Sequence, residues 1–148
     1  MSLIDELKLK SEKAFDARQE VIKEIKSYFD EFFDSDKFED YLRNISDDAI
    51  AKREVCMYVY YDCSYNSSAA HFGCGVGSIF SRFRWSNPEG GWSEGYKGIK
   101  FKDFENDIFD YLVMRIKQKM NELGFHYLRK DRTRDWARVV FEEHYFGW

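Results

Sequence analysis

Apolar side chains at Phe104, Ile108, Leu112, Ile116 and Met120 recur every fourth residue, a spacing that only an α-helix with one face laid on a core can use. Phe109, Val113 and Leu123 widen the line into a stripe, and charged residues fill the opposite face. Asp103 offers an N-cap carboxylate to the first-turn amides. Gly124 offers a residue that closes the last turn in the left-handed conformation. The sequence therefore predicts an amphipathic helix over 103–123 that requires another layer to pack on.

The segment Val55–Tyr61 (VCMYVYY) supplies that layer with a strand that is β-branched and aromatic on both faces, the pattern of a central strand. Beyond the Ser- and Asn-rich stretch 63–70, Gly73, Gly75 and Gly77 alternate with Cys74 and Val76. Glycine at every second position strips one face of a strand, which marks a bulge or a close approach to the backbone. Ile79, Phe83 and Trp85 then line one face with Arg82 and Arg84 on the other, SNPEGG at 86–91 is a turn, and 96–101 reads as a hairpin partner. Towards the end, 125–129 and 136–142 read as two strands joined by a charged connection at 130–135. Trp136, Val139 and Val140 would also suit a helix, but the β-branched and aromatic run 139–141 favours the strand.

The chain opens with Ser2 and, three residues later, Asp5, a helix-start pattern. Leu7, Ala14, Val21 and Tyr28 follow seven apart, interleaved with Ile4, Ile25 and Phe32, in a helix of up to about nine turns. Ser11 and Arg18 interrupt that seam, so the helix is expected to lie across a sheet, with self-association as a coiled coil the alternative. Ser35 or Asp36 caps a second short helix carrying Phe38, Tyr41, Leu42 and Ile45, and Ser46 opens a final turn. The expected fold is one α+β domain over 1–148, a helical arm (1–52) joined to a strand-rich core (53–148). It combines a long N-terminal helix, a short second helix, an antiparallel sheet of about five strands and a central amphipathic helix on one face.

Several chemistries fail on spacing. The Gly73–Gly77 run has neither the Lys-Ser/Thr of a phosphate loop nor a helix opening after it. Cys56, Cys63, His71 and Cys74 contain one close ligand pair where a structural zinc site uses two. Cys63 or Cys74 as a nucleophile, with His71 as base and Asp62 behind it, would need a lowered thiol pKa. His126 and His144 read as solvated or pairing residues, the latter beside Glu142 and Glu143. No catalytic group, metal or cofactor is expected; the reading leans away from an enzyme and keeps an unrecognised one as its third alternative. Three cysteines fit free thiols in a reducing, cytoplasmic setting. No apolar run approaches the roughly 18–20 residues needed to span a bilayer, so no membrane partner is expected.

Charge then singles out two surfaces. The net charge is −4, but residues 1–50 carry 8 Lys and Arg against 14 Asp and Glu, while the remainder carries 15 against 13. Phe29, Asp30, Phe33, Asp34, Asp36, Glu39 and Asp40, with Phe32 and Phe38, form an acidic aromatic segment holding more rings than one helix stripe can easily bury. At least one ring is expected to be exposed, and the segment is expected to dock on a basic surface of a partner protein. The alternative is single-stranded nucleic-acid binding through Arg82, Arg84, Trp85, Trp92, Arg129, Lys130, Arg132 and Arg134, which interleave guanidinium groups with rings. Small size, N-terminal acidity and many aromatics make the profile of a protein-binding inhibitor or immunity-like protein of the kind phages and mobile elements carry. That is an analogy of profile which no motif carries.

Overall fold

A computed structural model describes residues 2–64, 69–77, 82–90, 94–136 and 138–148, and of Arg82, Arg132, Arg134 and Trp136 the backbone alone. The chain begins with three helices, α1 (Leu3–Phe33), α2 (Lys37–Leu42) and α3 (Asp47–Lys52). Strands β1 (Glu54–Asp62), β2 (His71–Val76) and β3 (Arg82–Ser86) follow, then the short β4 (Gly95–Tyr96) and β5 (Ile99–Lys100). A 3-10 turn (Phe101–Asp103), α4 (Glu105–Glu122), β6 (His126–Trp136) and β7 (Val139–Gly147) complete it.

Five strands form one antiparallel sheet in the order β3-β2-β1-β7-β6, which puts the VCMYVYY strand at the centre. Alternation sends Val55, Met57, Val59 and Tyr61 to the face that carries α1 and α4, where Phe72, Cys74, Trp85, Val140 and Phe146 join them. Tyr58 and Tyr60 point to the other face and are buried there as well. The glycine pattern finds its explanation in Tyr60. A Cβ on Gly73 would run into the Tyr60 ring and stand 2.9 Å from the Phe83 carbonyl oxygen.

The helix layer belongs to the same core. Val21, Ile22, Ile25, Phe29, Phe32 and Phe33 of α1 and Ile108, Phe109, Leu112, Ile116 and Met120 of α4 are buried together with the sheet residues. Phe32 stacks on Phe83 with ring centroids 4.3 Å apart. Side chains also tie α1 to α4: Tyr111 hydroxyl donates to Asp30, Arg115 pairs with Asp34, and the Lys26 ammonium lies 4.8 Å from the centre of the Tyr111 ring.

Caps at the helix ends follow the sequence in part. Ser2 Oγ accepts from the Asp5 amide at 3.2 Å, Ser46 Oγ accepts from the Ala49 amide, and Gly124 takes φ +95° after α4. Asp103 does not cap α4. Phe101 and Phe104 both sink their rings into the core, the backbone between them winds as a 3-10 turn, and Phe104 occupies the cap position without a side-chain bond. Glu105 and Asp107 in the first turn complement the helix dipole instead. Leu123, expected in the stripe, is exposed beyond the last turn.

The C-terminal hairpin is a hairpin, with longer strands than expected. Residues 130–135, read as a connection, lie inside the edge strand β6, where Lys130, Asp131 and Asp135 are exposed. Residues 96–101 do not pair with β3. β4 and β5 pair with each other about a turn in which Lys97 and Gly98 both take positive φ. Ile79, expected on the β3 face, lies outside the described residues.

Each edge of the sheet carries a local irregularity or cap that hinders strand addition. On β3 the Tyr28 hydroxyl donates to the Arg84 carbonyl at 2.8 Å. On β6 two register irregularities, between Tyr127 and Arg129 and between Lys130 and Arg132, interrupt the ladder.

Candidate interaction surface

One helix face runs the length of α1, yet the body covers only its second half. Seven-residue steps toward the N-terminus from buried Val21, Ile22 and Ile25 give Ala14 and Leu7, Phe15 and Lys8, then Arg18, Ser11 and Ile4. The face that is core after residue 20 is therefore an apolar stripe before it. There Leu3 is 68 % exposed, Ile4 58 %, Leu7 49 % and Phe15 53 %. Residues 3–18 span about 22 Å of helix. Where the arm meets the body, Ala14 and Arg18 line a cleft of about 400 Å³ with Ile99, Lys100, Lys102 and Asp103.

This is the part of the functional reading that the sequence pattern missed. The heptad line is visible in the sequence, and Ser11 and Arg18 within it are the signal: two polar residues on the seam mark the stretch that leaves the core. Leu9 lies on the opposite side of the helix and is exposed with the rest of that side.

The acidic aromatic segment is built differently from expectation. Phe29, Phe32, Phe33 and Phe38 are all buried, the last three packed edge-to-face and tilted against one another and Phe29 edge-on to Phe83. No ring of the four is exposed, because α2 folds back and turns Phe38 into the cluster that Phe83 completes. Asp30 and Asp34 face Arg115, whose side chain is only 12 % exposed and whose guanidinium lies 5.2 Å from the centre of the Phe33 ring. Asp36, Glu39 and Asp40 remain exposed, the last two paired with Arg43. The segment presents carboxylates without an apolar anchor.

The arginine and tryptophan residues are spread over several surroundings. Trp85 is buried on the helix face against Phe72 and Tyr96. Arg129 pairs with Glu54 at 3.0 Å and Asp131 at 2.7 Å and lies over the Tyr145 ring. Arg84 and Lys130 are exposed. Trp92 lies outside the described residues, as do the side chains of Arg82, Arg132 and Arg134. Register nevertheless sets Arg84, Gly73, Tyr60, Phe141 and Arg134 in one row across the sheet, and Arg82, Gly75, Tyr58, Glu143 and Arg132 in the next.

Thiols and imidazoles show no reactive arrangement among the described residues. Cys74 is fully buried and its thiol pushed up by that burial. Burial, reinforced by Glu105, raises Cys63 to about 12, and burial with Glu143 nearby raises Cys56 to about 11. Cys63 lies beside Glu105, which pairs with Arg138 at 3.5 Å. His71 Nδ1 is 2.8 Å from Ser86 Oγ. His126 is exposed, whereas His144, read as a pairing residue, is buried between Glu142 and Tyr127. No group of three His, Cys, Asp or Glu among the described residues could hold a metal ion, and no described helix is long and apolar enough to cross a membrane.

No protein-family model, curated protein or solved structure matches this chain.

Proposed function

We propose that this chain is a protein-binding module that acts by occupying a target, with the first half of α1 as its docking element. One observation carries the reading: the apolar stripe that forms core at Val21, Ile25 and Phe29 continues, exposed, through Phe15, Leu7 and Ile4. Exposed apolar side chains on a regular helix face are what a helix-in-groove interaction uses, with anchors three, four and seven residues apart. An inhibitor or immunity-like role is one form of such occupancy. The acidic segment at Asp30–Asp40 is a poorer docking element because its rings are core and two of its carboxylates face Arg115. Affinity capture with the wild-type chain and with Leu7→Asp tests the reading. Proteins retained by the first and lost by the second support it, and an identical set from both refutes it.

A second reading, single-stranded nucleic-acid binding, has its own observation in the two sheet rows that begin and end on arginine. Its weakness is that Tyr58 and Tyr60 between those ends are buried and offer no open ring for a base to stack on. Titration of Arg84→Ala and wild type with an oligothymidylate across a salt series decides this case. A loss of affinity with a shallower salt slope would favour it.

A further inference from the structure

The charges beside the exposed stripe restrict what can cover it. Lys8 and Lys10 stand on its two margins, Arg18 stands within it with its guanidinium 5.6 Å from the centre of the Phe15 ring, and Lys100 and Lys102 border the cleft at its base. Asp5, Glu6, Glu12, Asp16 and Glu20 turn to the back of the helix, and Asp103 is the acidic residue of the cleft. A surface that buries Ile4, Leu7 and Phe15 must therefore meet a cationic rim.

The shape of the opening is set by where α4 starts. Lys26 and Asp30 meet Tyr111, and Asp34 meets Arg115, so position numbers rise together and the two helices run in the same direction. Counting back along both, Glu105 stands level with about residues 20 to 24 of α1. Ahead of that level the β4–β5 turn and the residues after β5 border α1 as far as Ala14 and Arg18, and beyond those the stripe has no cover among the described residues. A second helix lying along α1 before the start of α4 would continue the same packing.

We infer that the free half of α1 binds an amphipathic helix of a partner protein, its apolar face seated on Ile4, Leu7 and Phe15 and its margins lined by Asp and Glu facing Lys8, Lys10 and Arg18. The inference rests on the protein-binding reading above and adds the chemistry of the partner. Carboxylate margins are complementary to this rim, and complementarity of that kind sets orientation and association rate. A second copy paired in parallel fits less well, since it brings Lys8 and Lys10 against the same residues. An anionic membrane would meet the same rim and is the alternative occupant that the crosslink below distinguishes.

The test uses the full chain with a photoreactive benzoylphenylalanine at Ser11, an exposed polar position on the stripe, crosslinked in the source cell. The crosslinked segment is mapped by mass spectrometry, and capture of that same protein is measured for Leu7→Asp and for Lys8→Glu/Lys10→Glu/Arg18→Glu. The expected result is a helical segment with apolar residues three and four apart and acidic margins, whose capture falls at least about tenfold in both variants. A crosslinked protein that is lost by Leu7→Asp but unaffected by charge reversal overturns the partner chemistry and leaves the protein-binding reading standing. A crosslink to a second copy or to lipid overturns the inference, and a wild-type chain that crosslinks no protein overturns both. Circular dichroism melts of each variant confirm that the exposed arm has been altered without loss of the fold.

Discussion

Tyr127 and His144 meet across the β6–β7 ladder, hydroxyl to Nδ1 at 3.1 Å, while Glu142 closes the other side of the imidazole 2.9 Å from Nε2. A carboxylate only accepts, so Nε2 carries a proton, and in the neutral ring Nδ1 accepts from the tyrosine hydroxyl. Burial favours that neutral form. Burial lowers the His144 pKa below its ordinary 6.5 and outweighs the upward pull of Glu142, with Lys117 and Lys130 adding to the lowering. Below about pH 6.5 the unfolded chain binds a proton that the folded chain resists, so stability falls as pH drops through that value. Denaturation midpoints measured from pH 8 to 5 should show this slope. His144→Gln should flatten it while costing about 1–3 kcal/mol at neutral pH through the bonds it strands. An unchanged slope would place the titration elsewhere.

The two halves of the apolar pattern predict opposite responses to truncation. Leu112 sits mid-stripe in α4 with no exposed area, and Leu112→Ala should cost about 2–5 kcal/mol in chemical denaturation. Leu7, half exposed on the free arm, should cost less than about 0.5 kcal/mol as Leu7→Ala. Equal losses would mean that the arm is packed against the body.

That contrast also shows how far the sequence can be read. Periodicity reports which residues share a face, and it places Ile108, Leu112 and Ile116 together, along with Leu7, Ala14 and Val21. Whether a face meets anything depends on where a distant element begins, and the start of α4 at Glu105 is set by two phenylalanine rings competing with Asp103 for the cap. The ring cluster at Phe29–Phe38 departs from expectation for a related reason. One helix stripe is too narrow for so many rings, but α2 and Phe83 bring further walls that close over them. The five-strand antiparallel sheet is legible because a doubly apolar strand can only be central. His144, read as a pairing residue beside Glu142, carries no sequence sign of Tyr127 because the contact spans a ladder whose register two irregularities shift.

Gly73 should resist even the smallest side chain. Its Cβ would fall into the Tyr60 ring and near the Phe83 carbonyl, and neither a central-strand ring nor a backbone oxygen yields cheaply. Gly73→Ala is expected to destabilise by about 1–3 kcal/mol, the usual penalty for overpacking, as measured by urea unfolding. Tyr60→Leu in the same chain should recover part of the loss if the ring is the obstacle.

The three thiols should be slow to react in the native state. All three pKa values are raised by burial, so the thiolate fraction at pH 8 is small, and Cys56 is the one least raised. Ellman's reagent at pH 8 should show no burst, a slow phase at Cys56 first, and three equivalents on unfolding. Rapid native reaction of Cys63 would show that Glu105 and Arg138 do not enclose it.

Arg115 and the exposed carboxylates of α2 separate structure from binding within the acidic segment. The Arg115 guanidinium is almost enclosed, with Asp30, Asp34 and the Phe33 ring around it, so Arg115→Ala removes an ion-pair partner and buried packing together. A loss of about 1–3 kcal/mol is expected in thermal or chemical unfolding. Asp36, Glu39 and Asp40 are exposed, and surface pairs such as those with Arg43 seldom contribute more than about 1 kcal/mol. Reversing these three to Lys should therefore leave stability nearly unchanged. Because the proposed docking element is the α1 arm, the same reversal should also leave capture of the crosslinked partner intact, whereas Leu7→Asp abolishes it. Loss of capture on reversing Asp36, Glu39 and Asp40, with Leu7→Asp silent, would return the binding site to the acidic segment and its basic target.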